Sequence, residues 1–156
     1  MKRFKRPRKR RTFDFVYYLR KALIVLPVLA VLLFLLTPRV TDTVEFSADN
    51  VRVIDADTIA VGASSVRLRG VDAPERGEPL HNEGKEFLGR LLRSSETVIC
   101  KLTDETTYGR RVGRCFFIDG DGTTTDIQRA VIGAGYATPY LQYGGWRYIP
   151  AMFLGF

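Results

Sequence analysis

The sequence predicts an α+β fold: a five-stranded barrel of the OB type with two helices, preceded by an N-terminal transmembrane helix. Three observations predict it. Short β-patterned runs bounded by turn residues recur after residue 50. Two stretches with helical spacing interrupt them. An uncharged apolar run stands near the start of the chain.

A chain of 156 residues suffices for one modest domain with a core. Its net charge of +7 is unevenly placed. Residues 1–21 hold ten of the 24 Lys and Arg and a single acid, Asp14, which leaves 14 basic and 16 acidic residues in 22–156. The basic character belongs to the tail and the rest is close to neutral. Bulk charge therefore does not mark the domain as a binder of phosphate backbones; a few placed arginines would have to do that.

Taken in order, the chain opens on "MKRFKRPRKRR" in a basic tail over 1–21. The run "ALIVLPVLAVLLFLL", Ala22 to Leu36, carries no charge and predicts a transmembrane signal anchor over 22–37. It also fits the apolar region of a cleaved signal peptide, although no small-x-small cleavage site follows. Lys and Arg crowd its N-terminal side. That end is expected in the cytoplasm, with the domain periplasmic or extracellular. Residues 38–50 are polar with one proline and read as a linker to a domain over 51–156. Strands are predicted at 51–54, 58–61, 65–70, 97–102 and 111–118. A helix over 82–94 places Phe87 over Leu91 and Leu88 over Leu92. A second, over 125–135, opens with Thr125 and Gln128 spaced as a capping box. "DGDGTTTD" (119–126) lacks the sixth-position Gly and twelfth-position Glu of a calcium-binding EF-hand loop and reads as a hairpin turn. Cys100 and Cys115 both fall in predicted strands. An exported domain permits their disulfide, but two buried thiols is the favoured reading.

The chemistry gathers in two short stretches. Asp55 and Asp57 lie in "VIDADT", and Asp72 and Glu75 lie in "GVDAPE" just after the third strand. If the first three strands form a meander, these acids meet at one end of the sheet. Clustered carboxylates suit a hard cation, Ca²⁺ or Mg²⁺, and no His/Cys cluster exists for zinc. Arg67 lies on the strand that feeds the second turn, and Arg110 opens the fifth strand. Carboxylates around a divalent cation with two guanidinium groups beside them make a site for a phosphate ester.

The stretches "VIDADTI", "VRLRGVDAPE", "TTYGRRVGR" and "AVIGAGYA" together resemble the staphylococcal nuclease (thermonuclease) family, over roughly residues 50–143. The resemblance implies a calcium-dependent nuclease acting on DNA and RNA and leaving 3′-phosphate and 5′-hydroxyl ends. It implies that Asp57 and Asp72 ligate Ca²⁺ through their carboxylates and Ala73 through its carbonyl. Glu75 would activate the attacking water, and Arg67 and Arg110 would clamp the scissile phosphate. Tyr108 would contact the adjoining nucleotide. Stacking aromatics are to be sought among Tyr140, Tyr143 and Trp146. Asp55 matches an acid near the metal with a less direct part. Three departures stand out: Ala56 where the family usually has Gly, Thr107 where its best-known member has Lys, and an ending, "IPAMFLGF", where the family usually has a third helix. The competing reading is a non-catalytic OB-fold module that binds nucleic acid on the same scaffold. The implied partners are nucleic acid and, through the anchor, a lipid bilayer; no protein partner is implied. Arg69, Arg111 and Arg114 read as solvated strand residues, and His81 as a loop histidine without a role.

Overall fold

A computed structural model describes residues 15–36 and 39–154. The basic tail expected over 1–21 therefore lies mostly outside the described residues. The chain forms two compact units, divided between Thr37 and Pro38.

The first unit contains one helix, α1 (Phe15–Leu36), with Pro27 inside it. It begins before the apolar run because Phe15, Val16, Tyr17, Tyr18 and Leu19 extend the helical segment on its N-terminal side. Tyr17–Leu35 is long and apolar enough to cross a bilayer.

The second unit is a twisted sheet with helices packed on it. The strands are β1 (Val40–Ser47), β2 (Val51–Asp55), β3 (Thr58–Val61), β4 (Ser64–Leu68), β5 (Val71–Asp72), β6 (Ser95–Thr107), β7 (Arg110–Asp119), β8 (Thr124–Asp126) and β9 (Thr138–Pro139). The helices are α2 (His81–Arg93), α3 (Ile127–Gly133) and α4 (Ile149–Leu154). Sheet order is β1-β6-β7-β4-β3-β2, with β8 added beside β7; β5 and β9 form a separate pair. The α+β, OB-like class stands as expected, with β2, β3 and β4 as the meander.

The strand count of five is corrected to nine among the described residues, and the two helices expected in the domain to three. The largest change is the segment read as a linker. Residues 40–47 are β1, paired antiparallel with β6 from Val40↔Thr103 to Ser47↔Thr97. Val44 and Phe46 pack on the core while Thr43 and Glu45 alternate with them. A half-buried edge strand with Thr43, Glu45 and Ser47 on its outer face has linker-like composition.

β7 organises the rest. It pairs antiparallel with β6 and parallel with β4, the latter through Val66↔Arg111, Arg67↔Val112 and Leu68↔Gly113. The parallel pairing sets the end of β4 beside the start of β7. The core includes Ile59, Leu68, Leu88, Leu102, Val98, Phe117, Ile127 and Ile132, all fully buried. In α2 the expected stripe is present: Leu88 and Leu92 are buried, and Phe87 and Leu91 pack against the core. The start of α3 differs from expectation. Asp126 caps it, accepting from the Arg129 amide, while Gln128 turns inward. The Gln128 amide accepts from Cys115 N–H and donates to the Gly113 carbonyl, so its polar ends are satisfied inside the core. The 119–126 segment is the expected turn, with β8 returning along β7.

Cys100 and Cys115 are direct cross-strand partners and form a disulfide. This corrects the reading of two free thiols; pairing of β6 with β7 brings the sulfurs together. The bridge closes a loop with a sequence separation of 15. Reduction is expected to lower stability by about 3 kcal/mol, read as a fall in the urea midpoint under thiol and reproduced by the double Cys→Ala variant.

Tyr148 seats the C-terminal segment. It is buried beside Arg114 and Asp126, and burial, reinforced by the Asp126 carboxylate, pushes its phenol up to about 12. Between pH 10 and 12 the unfolded chain releases this proton while the folded chain keeps it. Stability is thus expected to fall as pH rises through that window, by roughly 2 kcal/mol, and Tyr148→Phe to flatten the decline in alkaline unfolding titrations.

Candidate active site

The acids meet where the meander turns. Asp57 lies in the β2–β3 turn; its backbone carbonyl accepts from Leu68 N–H at 2.8 Å, which ties the turn to the end of β4. The turn is also pressed from outside. A Cβ on Gly84 of α2 would lie 3.0 Å from the Ala56 Cβ, so an alanine fits the turn because glycine faces it.

From β4, Arg67 reaches both expected metal-ligating acids. Its Nη1 is 2.8 Å from Asp57 Oδ2 and its Nη2 is 3.9 Å from Asp72 Oδ1. Asp57 is buried, and its other oxygen accepts from the Thr58 hydroxyl at 2.8 Å. Asp72 is open to solvent. Arg110 joins the same network, its Nη1 lying 3.5 Å from Thr58 Oγ1.

A cleft of about 680 Å³ opens over this network. Its walls include Arg67, Asp72, Glu75, Tyr108, Arg110, Tyr140 and Tyr143. Seven expected site residues thus share one cavity. Ala73 lies in an adjoining recess of about 220 Å³, with Asp72 common to both. Trp146 is not brought to the cleft. Tyr140 and Tyr143 meet edge to face, ring centroids 4.8 Å apart. Tyr108 is 94 % exposed and occupies the β6–β7 turn with φ +48°, followed by Gly109 at +76°. Positive φ at both central residues is the type I′ hairpin pattern, which favours Asn and Gly and is strained for a bulky ring.

Two residues gain places that the sequence reading did not give them. Arg69 was read as a solvated strand residue but lines the cleft, its Nε 2.9 Å from Glu105 Oε2. The signal was present: in the strand predicted over 65–70, Arg67 and Arg69 are two apart and share a face, although β4 itself ends at Leu68. His81 is buried; its Nδ1 donates to the Pro74 carbonyl at 2.9 Å and its Nε2 faces Asp55 Oδ1 at 3.8 Å. It links the turn that carries Asp57 to the turn that carries Glu75. A single histidine in a loop sequence offers no sign of this.

Among the described residues no three His, Cys, Asp or Glu side chains form a closed metal cage. The donors on hand are carboxylate oxygens, one set buried and one open to the cleft. This set fits a hard cation that keeps much of its shell for water and phosphate oxygens, and does not fit zinc.

Residues 65–151 match the family described as staphylococcal nuclease homologue, more than half of the chain. The chain belongs to the staphylococcal nuclease family. Among curated relatives, the succinoglycan biosynthesis protein ExoI of Rhizobium meliloti (strain 1021) is 37 % identical over 54 % of this chain and 48 % of its own length. A micrococcal nuclease of Shigella flexneri is 29 % identical over 64 % of this chain and 62 % of its own. A probable staphylococcal-like nuclease of Oryza sativa subsp. japonica, CAN1, is 35 % identical over 50 % and 22 %. The chain spans about half the length of the first of these relatives and less than two thirds of the other two.

Proposed function

We propose that the second unit is a calcium-dependent nuclease that hydrolyses phosphodiester bonds of DNA and RNA, leaving 3′-phosphate and 5′-hydroxyl ends. One observation carries this reading: a single guanidinium, Arg67, reaches the buried Asp57 at 2.8 Å and Asp72 at 3.9 Å, and lines one cleft together with Asp72, Glu75 and Arg110. Arg67 and Arg110 hold the non-bridging oxygens of the diester and offset charge that builds on them. Glu75, exposed on the cleft wall, takes a proton from the attacking water as the water oxygen bonds to phosphorus. The bond to the 5′ oxygen breaks, and Arg110 stabilises that oxygen until it is protonated. Asp57, Asp72 and the Ala73 carbonyl would hold Ca²⁺, which when bound would supply further neutralisation of phosphoryl charge. Tyr108, Tyr140 and Tyr143 offer ring faces and edges to bases, a contact every base accepts, so little sequence preference is expected. In the same reading α1 stays uncleaved as a membrane anchor, its N-terminal side cytoplasmic and the nuclease unit periplasmic or extracellular.

The test is cleavage of single-stranded DNA and RNA by the full chain with Ca²⁺, then with a chelator. Expected are Ca²⁺-dependent cuts whose 5′ ends accept a phosphate from a kinase without prior dephosphorylation, and near-complete loss in Glu75→Gln. Cleavage that ignores the chelator and Glu75→Gln overturns the assignment. Binding without cleavage under Ca²⁺ points to the non-catalytic OB-fold module instead.

A further inference from the structure

The C-terminal segment carries two apolar stripes, and the fold uses only one. Tyr148 and Ala151 point into the core. Trp146, Ile149, Met152, Phe153 and Leu154 point out, with exposures of 63, 40, 48, 80 and 79 %. The spacing 146, 149, 153 is one face of a helical segment. No acid occurs from Ile127 to Phe156, while Arg129 and Arg147 do. The Arg147 guanidinium lies 5.8 Å from the Trp146 ring. An exposed apolar stripe edged by a cation and led by tryptophan has the composition of a membrane-interface contact.

Its position within the second unit favours the same occupant. Val40, the first residue of β1, pairs with Thr103 of β6. The Glu105 amide donates to Thr103 Oγ1, and Glu105 pairs with Arg69. Arg69 in turn packs against Gly144, two residues before Trp146. The start of the unit and the start of the stripe are thus at the same end of the sheet. Only Thr37, Pro38 and Arg39 separate α1 from Val40 in the chain, so a bilayer that held α1 would keep the second unit on a tether of three residues.

We infer that the outward stripe of residues 146–154 docks on the surface of the bilayer that holds α1. This rests on the anchor reading of α1. Docking fixes the unit's orientation on the membrane rather than leaving it to swing on its tether, and it places the segment carrying Tyr140 and Tyr143 next to the lipid headgroups.

The chain has one tryptophan, Trp146, which reports on the contact directly. The full chain is reconstituted into phosphatidylcholine–phosphatidylglycerol vesicles, with or without bromine on the acyl chains near the glycerol. Flotation tests the anchor and Trp146 emission tests the docking. Expected is flotation together with about twofold or greater quenching by brominated lipid, lost in the double variant Phe153→Asp, Leu154→Asp while flotation persists. Both positions are exposed, so the variant is expected to fold, as an unchanged melting curve would show. Flotation with unquenched Trp146 overturns the docking and leaves the anchor standing. A blue-shifted, unquenched Trp146 whose emission changes on dilution assigns the stripe to a second copy of the chain and also overturns it. A chain that fails to float overturns the anchor and the docking together.

Discussion

Arg67→Ala is expected to lower nuclease activity by about 10²-fold or more and also to destabilise the fold. The two effects have one origin. Asp57 is 4 % exposed, and the guanidinium at 2.8 Å is its only ion pair among the described contacts. Without it a buried carboxylate keeps only the Thr58 hydroxyl bond, at a cost of about 3 kcal/mol. Arg67→Lys restores a charge but not a fork that spans Asp57 and Asp72, so it should recover part of the stability and little of the activity. Calcium provides the sharper readout. If Asp57 and Asp72 hold the cation as proposed, Arg67 competes with it for both carboxylates, so Ca²⁺ should raise the melting temperature of Arg67→Ala more than that of the parent chain. Equal shifts would mean that the carboxylates are not where the cation binds. Unchanged stability would mean that the ion pair contributes nothing.

Gly145→Ala is expected to be the most damaging single substitution away from the charged groups. A Cβ there would lie 2.5 Å from Tyr140 N, 2.6 Å from the Gly70 carbonyl oxygen and 2.7 Å from the Tyr140 carbonyl oxygen. All three are backbone atoms, so no side chain can swing aside. The same atoms make the hydrogen bonds from Tyr140 N–H to Gly70 and from Gly145 N–H to Tyr140, each 3.0 Å. Relief requires the 140–145 segment to lift off Gly70. The expected loss is about 3 kcal/mol, with weakened binding of single-stranded DNA as Tyr140 and Tyr143 leave the cleft wall. Unfolding in urea and a binding titration read the two effects separately. Gly144→Ala is the comparison: it meets the end of the flexible Arg69 side chain, and its φ of +81° sets a cost of about 1 kcal/mol.

The contrast between these positions shows what the sequence could and could not carry. Asp57, Arg67 and Asp72 were legible because turn acids and a strand arginine have fixed directions once three strands form a meander. Structure places both carboxylates on that arginine. Arg69 was equally legible from its two-residue spacing and was passed over because its partner, Glu105, lies 36 positions away. β1 escaped notice since Asp42, two residues before Val44, and the polar Thr43, Glu45 and Ser47 dilute the apolar alternation of Val44 and Phe46. Its identity as a strand comes from β6, not from its own residues. His81 and Gly145 left no local trace. One acts through a carbonyl seven residues back, the other through close approach to Gly70. Trp146 was grouped with the cleft tyrosines because aromatics close in sequence look alike; which way each faces depends on Tyr148 being drawn into the core.

If Tyr108 meets nucleic acid as proposed, its backbone bears on how the ring is presented. At the tip of a two-residue turn, in left-handed geometry, the ring stands in water before any ligand arrives. The backbone needs no rearrangement to present the ring, while the ring keeps its rotamer freedom until something binds it. Asparagine at this position would ease the turn and give up a ready-made perch.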